Sequence, residues 1–251
     1  MIYREPIRVR WHETDLNRTV SPSHLLMYFQ ETANHQLHDC GFDLDAVRDN
    51  QRVAFLLSRI AIRFHTPLHA YENIESQTWT CPGRGLNFER CFRVTRGDET
   101  VAEGYSSWGL MHLEEHRLLR VEEFAYPVEP EPALIPEGIP LRFRVPPTGE
   151  MECVGKRRIG YADIDYNGHM NNTKYPDMLC DFTPEIASLR VVGLSMSFLQ
   201  EAPFGKSLDV YRAPYQGRDG SKGFLFRTAD ADGNTCLEAL MLTEPRRNDP
   251  A

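Results

Sequence analysis

Apolar residues in this chain recur with two periods, and the two periods alternate in a repeated order. Leu25, Phe29, Ala33 and Leu37 fall four apart, along one face of a helix. Around that helix the spacing drops toward two. Ile7–Trp11 precedes it as a strand, and Phe55–Phe64, Ile74–Thr80, Phe88–Thr95 and Val101–His112 follow it. The turn Arg96-Gly97-Asp98-Glu99 joins the last two as a hairpin. The same order then returns. Arg157–Tyr161 reads as a strand, and a helix follows whose stripe is Tyr175, Met178, Leu179 and Phe182. Strand patterns come next at Val191–Leu199, Ser207–Ala213, Gly223–Thr228 and Thr235–Leu242, with Ala231-Asp232-Gly233-Asn234 as the last hairpin turn. Prolines at 127, 130, 132, 136, 140, 146 and 147 separate the two runs and predict an extended linker.

This order predicts an internal duplication: a first unit over 1–125, a proline-rich linker over 126–150 and a second unit over 151–251. Placing Asp15 on Asp165 also places Glu13 on Asp163 and Asn17 on Asn167. Further along, Pro67 falls on Pro203, His65 on Glu201, and Thr100-Val-Ala-Glu103 on Thr235-Cys-Leu-Glu238. One helix followed by an antiparallel meander suggests a sheet wrapped round that helix. Two such sheets pairing edge to edge would protect two exposed edges. The predicted class is α+β, a double hotdog with both sheets joined into one.

The two units differ in their chemistry. In the second, Asp165-Tyr-Asn167-Gly-His169 brings an acid, an amide and an imidazole within five residues. An extended segment would point all three side chains the same way. Asn171-Asn172 would then cap the following helix, whose free N–H groups suit a developing oxyanion. Asp, Asn, Gly and His also cluster in ordinary turns. The first unit has Thr19 where the second has His169, which predicts one chemical site per chain.

Composition narrows the setting. Apolar content of 41% and charged content of 25% are those of a globular protein, and no apolar run approaches a membrane span. The start of the sequence has no signal-like hydrophobic region. Cysteines 40, 81, 91, 153, 180 and 236 have no metal-type spacing and read as reduced core thiols, so a cytoplasmic location is expected. A net charge of −8 argues against nucleic acid as a general partner. Lys156-Arg157-Arg158, with Arg142 and Arg144 upstream, is the best basic patch, although a solvated edge strand explains it better.

With these residues in view, the chain resembles the acyl-acyl-carrier-protein thioesterases of plants and bacteria over nearly its whole length. Asn17-Arg18-Thr19 and Leu26-Met-Tyr-Phe-Gln30-Glu31-Thr32-Ala33 resemble the family's N-terminal hotdog helix, and Asp165-x-Asn167-x-His169-x-Asn171-Asn172-x-x-Tyr175 its catalytic segment. Phe198-Leu-Gln-Glu201 resembles the strand that supplies its glutamate. The resemblance implies hydrolysis of fatty acyl-carrier thioesters by Asp165, Asn167, His169 and Glu201. It implies no cofactor and no metal, and acyl carrier protein as partner. Plant members commonly follow the glutamate with a cysteine. Here that position is Ala202, so a cysteine nucleophile is unavailable there.

In that reading Glu201 either activates water or attacks the carbonyl, and partial burial beside an acyl chain would suit it as a base. His169 holds the water or protonates the thiolate, Asn167 donates to the carbonyl oxygen or orients the water, and Asp165 fixes the Asn–His geometry. The acyl chain needs a dry tunnel, for which the first unit offers Met27, Phe29 and Ala33 on its helix, with Phe55, Leu57 and Trp108 opposite. Residues near 142–158 gain a docking role by the same analogy. The competing readings are an acyl-CoA thioesterase, a hotdog enoyl-thioester hydratase, a non-catalytic acyl sensor and, last, a metal hydrolase using Asp163, Asp165 and His169. A monomer or a homodimer would serve.

Overall fold

In the computed structural model, which describes residues 1–246, alternating strands assemble one antiparallel sheet. The first half comprises β1 (Tyr3–Arg8), α1 (Pro22–Asp39), α2 (Leu44–Gln51), β2 (Val53–Phe64), β3 (Asn73–Arg84), β4 (Asn87–Arg96), β5 (Glu99–His112) and the short β6 (Arg117–Leu119). The second comprises β7 (Glu152–Arg158), α3 (Tyr175–Asp181), β8 (Leu189–Phe198), β9 (Ser207–Gln216), β10 (Lys222–Ala229) and β11 (Thr235–Pro245). The sheet runs β1-β3-β4-β5-β2-β8-β11-β10-β9-β7, with β6 on β5. The second half mirrors the first across the β2–β8 seam, where Arg59–Arg63 pair antiparallel with Ser197–Gly193. The expected double hotdog is the observed fold.

Ser21 starts α1 by accepting the His24 N–H, and Pro22 takes the first turn, where no N–H is needed. The sheet wraps the helix. Leu25, Phe29, Ala33 and Leu37 are buried, and so are Tyr28, Thr32 and Gln36. Phe29 is fully buried and stacks on Phe92, with ring centroids 4.6 Å apart. Burying such a ring stabilises the fold by about 1.5–3 kcal/mol. Gly104 makes room for it, since a Cβ there would lie 2.5 Å from the ring.

The second helix is much shorter. A 3-10 turn over Asn172–Lys174 leads into the seven residues of α3, which buries Tyr175, Met178 and Leu179. Phe182, expected on the helix, lies just beyond its end. Pro184 disfavours helical backbone at Thr183, whose hydroxyl instead donates to Leu179 O at 2.7 Å. Among the described residues no counterpart of α2 follows.

Residues 126–150 form no strand and, apart from the 3-10 turn Thr148–Glu150, no helix, but they do not hang free. Trp79 Nε1 donates to Pro132 O at 3.0 Å, and Ile139 and Val145 are buried with Ala61, Val192, Leu225, Leu240 and Leu242. Ala61 alternates with Ile60 and Ile62, which face α1, so the linker covers the opposite face of the sheet. Cys40 and Cys153 are exposed, contrary to the expectation that all six thiols are in the core.

Backbone hydrogen bonds correct the internal alignment. Val9 N donates to Glu72 O at 2.9 Å as Ile159 N does to Lys206 O at 2.8 Å. Val20 N donates to Leu68 O as Met170 N does to Ala202 O, both at 2.8 Å. Glu201 therefore corresponds to Pro67 rather than His65, and Pro203 to His69 rather than Pro67. The slip is an even number of residues, so it leaves side chains on the same face and the hydrophobic pattern cannot reveal it. Thr19 does correspond to His169. Asp15 N donates to Thr19 O at 2.8 Å, and Asp165 N to His169 O at 3.1 Å.

Candidate active site

Asp165–His169 is a tight turn, not the extended segment expected. Gly168 N donates to Asp165 O at 3.1 Å, and Asp165 Oδ1 accepts the Asn167 N–H at 2.9 Å. Gly168 adopts φ +88°, which glycine takes without a Cβ clash. Asp165 thus spends one carboxylate oxygen on the turn backbone. It shapes the loop that carries Asn167 and His169 rather than bonding to their side chains.

The turn opens against two other segments. Pairing of His169 with Pro203, and the Met170 N–H bond to Ala202 O, bring the loop after β8 alongside. This sets His169 Nε2 3.3 Å from Glu201 Oε1. The His169 side chain is 24% exposed and that of Glu201 63%, so Glu201 is the more open of the two to solvent. On the other side α2 approaches from the first half. Arg48 Nη1 donates to Asn167 Oδ1, and the Arg48 guanidinium lies 5.7 Å from the centroid of the Tyr166 ring. Arg48 is 119 residues away in sequence, and no local pattern marks it.

Beyond His169, Asn171 caps the 3-10 turn rather than α3 itself, its Oδ1 accepting the Thr173 N–H at 2.9 Å, while the N-cap of α3 is Lys174 with no side-chain cap bond. Tyr175 packs edge-on to Phe198 at 5.3 Å, and burial pushes its hydroxyl well above the usual phenol range. Asp163 accepts from Arg157 at 2.5 Å and from Gly160 N at 2.8 Å. With Asp163 and Asp165 so committed, the geometry gives the metal-hydrolase reading no support. Lys156 reaches Asp209 at 3.1 Å on the edge strand β7, so two of the three residues in the basic run answer carboxylates of this chain.

A cavity of about 300 Å³ lies inside the first half, and its walls include Ala33, Phe55, Phe88, Trp108 and Tyr126. Three of the six expected lining residues, Ala33, Phe55 and Trp108, are among them. Phe29 and Leu57 pack into the core instead, and half-buried Met27 is not on the wall. Leu44 of α2 also lines this cavity, one helical turn before Arg48, so a single helix spans the distance from cavity to turn. Polar chemistry also reaches the wall. Arg90, 5% exposed, donates to Gln36 Oε1 at 2.6 Å and to the Tyr126 hydroxyl at 2.8 Å.

A larger cavity, about 520 Å³, lies at the first copy's turn, bordered by Asp15, Asn17, Thr19 and Pro67 of the first half and by Cys180, Val191 and Arg246 of the second. Size does not mark the chemistry here, because Thr19 and Pro67 stand where the second copy has His169 and Glu201. Arg246 fills the polar end. Its Nη2 is 3.3 Å from Asp15 Oδ2, and the Asn17 amide is satisfied with its oxygen toward Arg246, at 2.8 Å from Nη2.

Among the described residues, no helix is long and apolar enough to cross a membrane. Residues 1–126 match the acyl-ACP thioesterase N-terminal domain, and residues 152–238 match the acyl-ACP thioesterase C-terminal domain. The chain is 27% identical over 203 residues to the chloroplastic oleoyl-acyl carrier protein thioesterase 2 of Arabidopsis thaliana, covering 73% of this chain and 54% of that protein. It is 24% identical over 239 residues to the chloroplastic oleoyl-acyl carrier protein thioesterase of Coriandrum sativum, covering 86% and 64%. The chain therefore spans only about half to two thirds of those relatives. In fold it is similar to an acyl-ACP thioesterase from Bacteroides thetaiotaomicron, with TM-score 0.82, 21% identity and coverage of 97% of this chain and 98% of that one. It is likewise similar to the 12:0-ACP thioesterase of Umbellularia californica, with TM-score 0.86, 16% identity and coverage of 98% and 94%. Both matched domains lie in tandem, one on each side of the seam, and the chain belongs to the acyl-ACP thioesterase family.

Proposed function

We propose that this protein hydrolyses the thioester of a fatty acyl-acyl carrier protein, releasing free fatty acid and ending chain elongation. The observation that carries this reading is the His169–Glu201 pair, 3.3 Å apart and beside Asn167, in a chain of this family. A thioester is already activated, because sulfur donates poorly into the carbonyl and thiolate leaves readily. Hydrolysis therefore needs a placed water, a base and stabilisation of the carbonyl oxygen.

Glu201, open to solvent and beside His169, takes a proton from water as the water oxygen attacks the carbonyl carbon. The carbonyl electrons move onto oxygen, where Asn167 Nδ2 donates a hydrogen bond. Collapse of that oxyanion breaks the C–S bond. The thiolate leaves, taking up a proton from His169 or solvent. The acyl chain lies in the cavity of about 300 Å³ in the first half, which α2 connects to the turn. Asp165 keeps the turn closed.

The test is thiol release from matched acyl-carrier-protein and acyl-CoA thioesters by wild type, His169→Ala and Glu201→Ala. Faster release from the carrier-protein substrate, lost in both variants, supports the reading. Faster release from CoA replaces the carrier with CoA. Binding without release favours a sensor, and hydration of an enoyl thioester without thiol release favours the hydratase. A single turnover in ¹⁸O-water tests for direct attack, since label enters the Glu201 carboxylate only if water opens an acyl–Glu201 anhydride at the Glu201 carbonyl.

A further inference from the structure

We infer that Arg48 is a positioning residue that fixes the direction of the Asn167 amide, so that the first half of the molecule aims the oxyanion donor of the second. The inference rests on the site proposed above. An amide side chain is nearly symmetric in shape, and an exposed one is free to present either its oxygen or its NH2 group. A guanidinium has donors only, so whatever faces it must be an acceptor. With Arg48 Nη1 on Asn167 Oδ1, the amide oxygen is taken and Nδ2 points to the other side. This decides chemically between the two roles open to Asn167, donor to the carbonyl or acceptor from water. It is held as a donor. The adjacent positive charge also polarises the amide and strengthens the hydrogen bond it gives.

Arg48 is itself held. Val47 is buried beneath α2, and Asp43 caps the helix by accepting the Asp45 and Ala46 N–H groups at 2.9 and 3.1 Å. The Tyr166 ring, next to Asn167 in the turn, packs beneath the guanidinium at 5.7 Å. Among the described residues the second half has no counterpart of α2. In the first copy the matching amide, Asn17, is met by Arg246 from the end of β11. The two arginines come from different elements, and each crosses from the opposite half. A cation on this amide is thus required by neither the repeat nor the local chain. In the second copy the turn that carries this amide also carries His169 of the acid–base pair.

The experiment measures kcat and KM for an acyl-carrier-protein thioester with Arg48→Met, Arg48→Lys, Asn167→Ala and the Arg48→Met/Asn167→Ala double variant, with thermal melting beside each. Loss of one oxyanion donor costs about 10²–10³-fold in kcat, the drop expected for Asn167→Ala. Arg48→Met is expected to lower kcat about tenfold or more, with KM within twofold and melting nearly unchanged. Arg48→Lys, which keeps a donor-only group, should recover part of that loss. In the double variant Arg48→Met should cost nothing further. Four results would overturn the inference: Arg48→Met leaving kcat intact while Asn167→Ala loses it, a change confined to KM, additive losses, or a kcat loss that follows melting and is not recovered by lysine. An Asn167→Ala enzyme with full kcat would instead remove Asn167 from the site reading, and this inference with it.

Discussion

Asp15–Thr19 and Asp165–His169 fold into the same turn, yet only one is joined by an acid–base pair. In both, an aspartate oxygen accepts the N–H two residues on, at 2.8 Å in the first and 2.9 Å in the second. Both put their fourth residue at positive φ, +62° at Arg18 and +88° at Gly168. Both carry an asparagine met by an arginine from the other half. Where the second site holds its imidazole and its carboxylate they part: Thr19 stands against His169, and Pro67, beside the first turn, against Glu201. The turn is shared scaffold, and the His169–Glu201 pair stands at one copy of it. A motif search that scores Asp and Asn alone would find two sites where the acid–base pair stands at one.

The most direct way to break the comparison is to make the second copy resemble the first. His169→Thr should lower thioester hydrolysis by about 10²–10⁴-fold, the usual worth of a positioned acid–base group, with little change in melting temperature. A variant that keeps most of its activity would show that the copies do not differ where the imidazole suggests. Next in size is the shared positive-φ position. Gly168→Ala should destabilise the fold by about 1–2 kcal/mol, the cost of left-handed backbone with a Cβ, read from denaturant unfolding. It should also lower activity, because the turn carries Asn167 and His169. Arg18→Gly runs the opposite way and should stabilise by up to about 1 kcal/mol with hydrolysis unchanged. The smallest effect is expected from Arg246→Met. It removes a partly buried ion pair with Asp15, worth about 1 kcal/mol, and should leave turnover at the wild-type value. A drop in turnover there would mean that the first copy's cavity takes part in the reaction.

Most of the fold was legible in the sequence, because period-two stretches and Gly-Asp or Asp-Gly turns are local signals. The seam could be anticipated from the need to protect edges, although its register could not. Three features escaped, each for its own reason. The Asp165 turn was readable in principle, since Asp-x-Asn-Gly favours a side-chain-to-backbone turn over an extended segment. Alternation of polar residues pointed the other way. The truncation of α3 was signalled by Pro184, while the apolar stripe continued to Phe182 and outweighed it. Arg48 had no signal, because its role depends on α2 crossing from the first half to the second. Among the cavity residues Phe29 and Ala33 share a helical stripe, but only Ala33 meets the cavity while Phe29 meets Phe92. Periodicity gives a face and cannot say which part of it is hollow.

The linker on the sheet's outer face ties the two copies into one chain, with a consequence for symmetry. A dimer of identical subunits related by a two-fold axis must carry the same residues at both equivalent sites, so losing a side chain at one loses it at the other. Covalent joining removes that constraint and fixes the ratio of the copies at one to one. One copy can then hold Thr19 and Pro67 where the other holds His169 and Glu201, while the cavity of about 300 Å³ and Arg48 belong to the first alone. The division of labour across the seam is available only to a molecule whose halves can never be exchanged for one another.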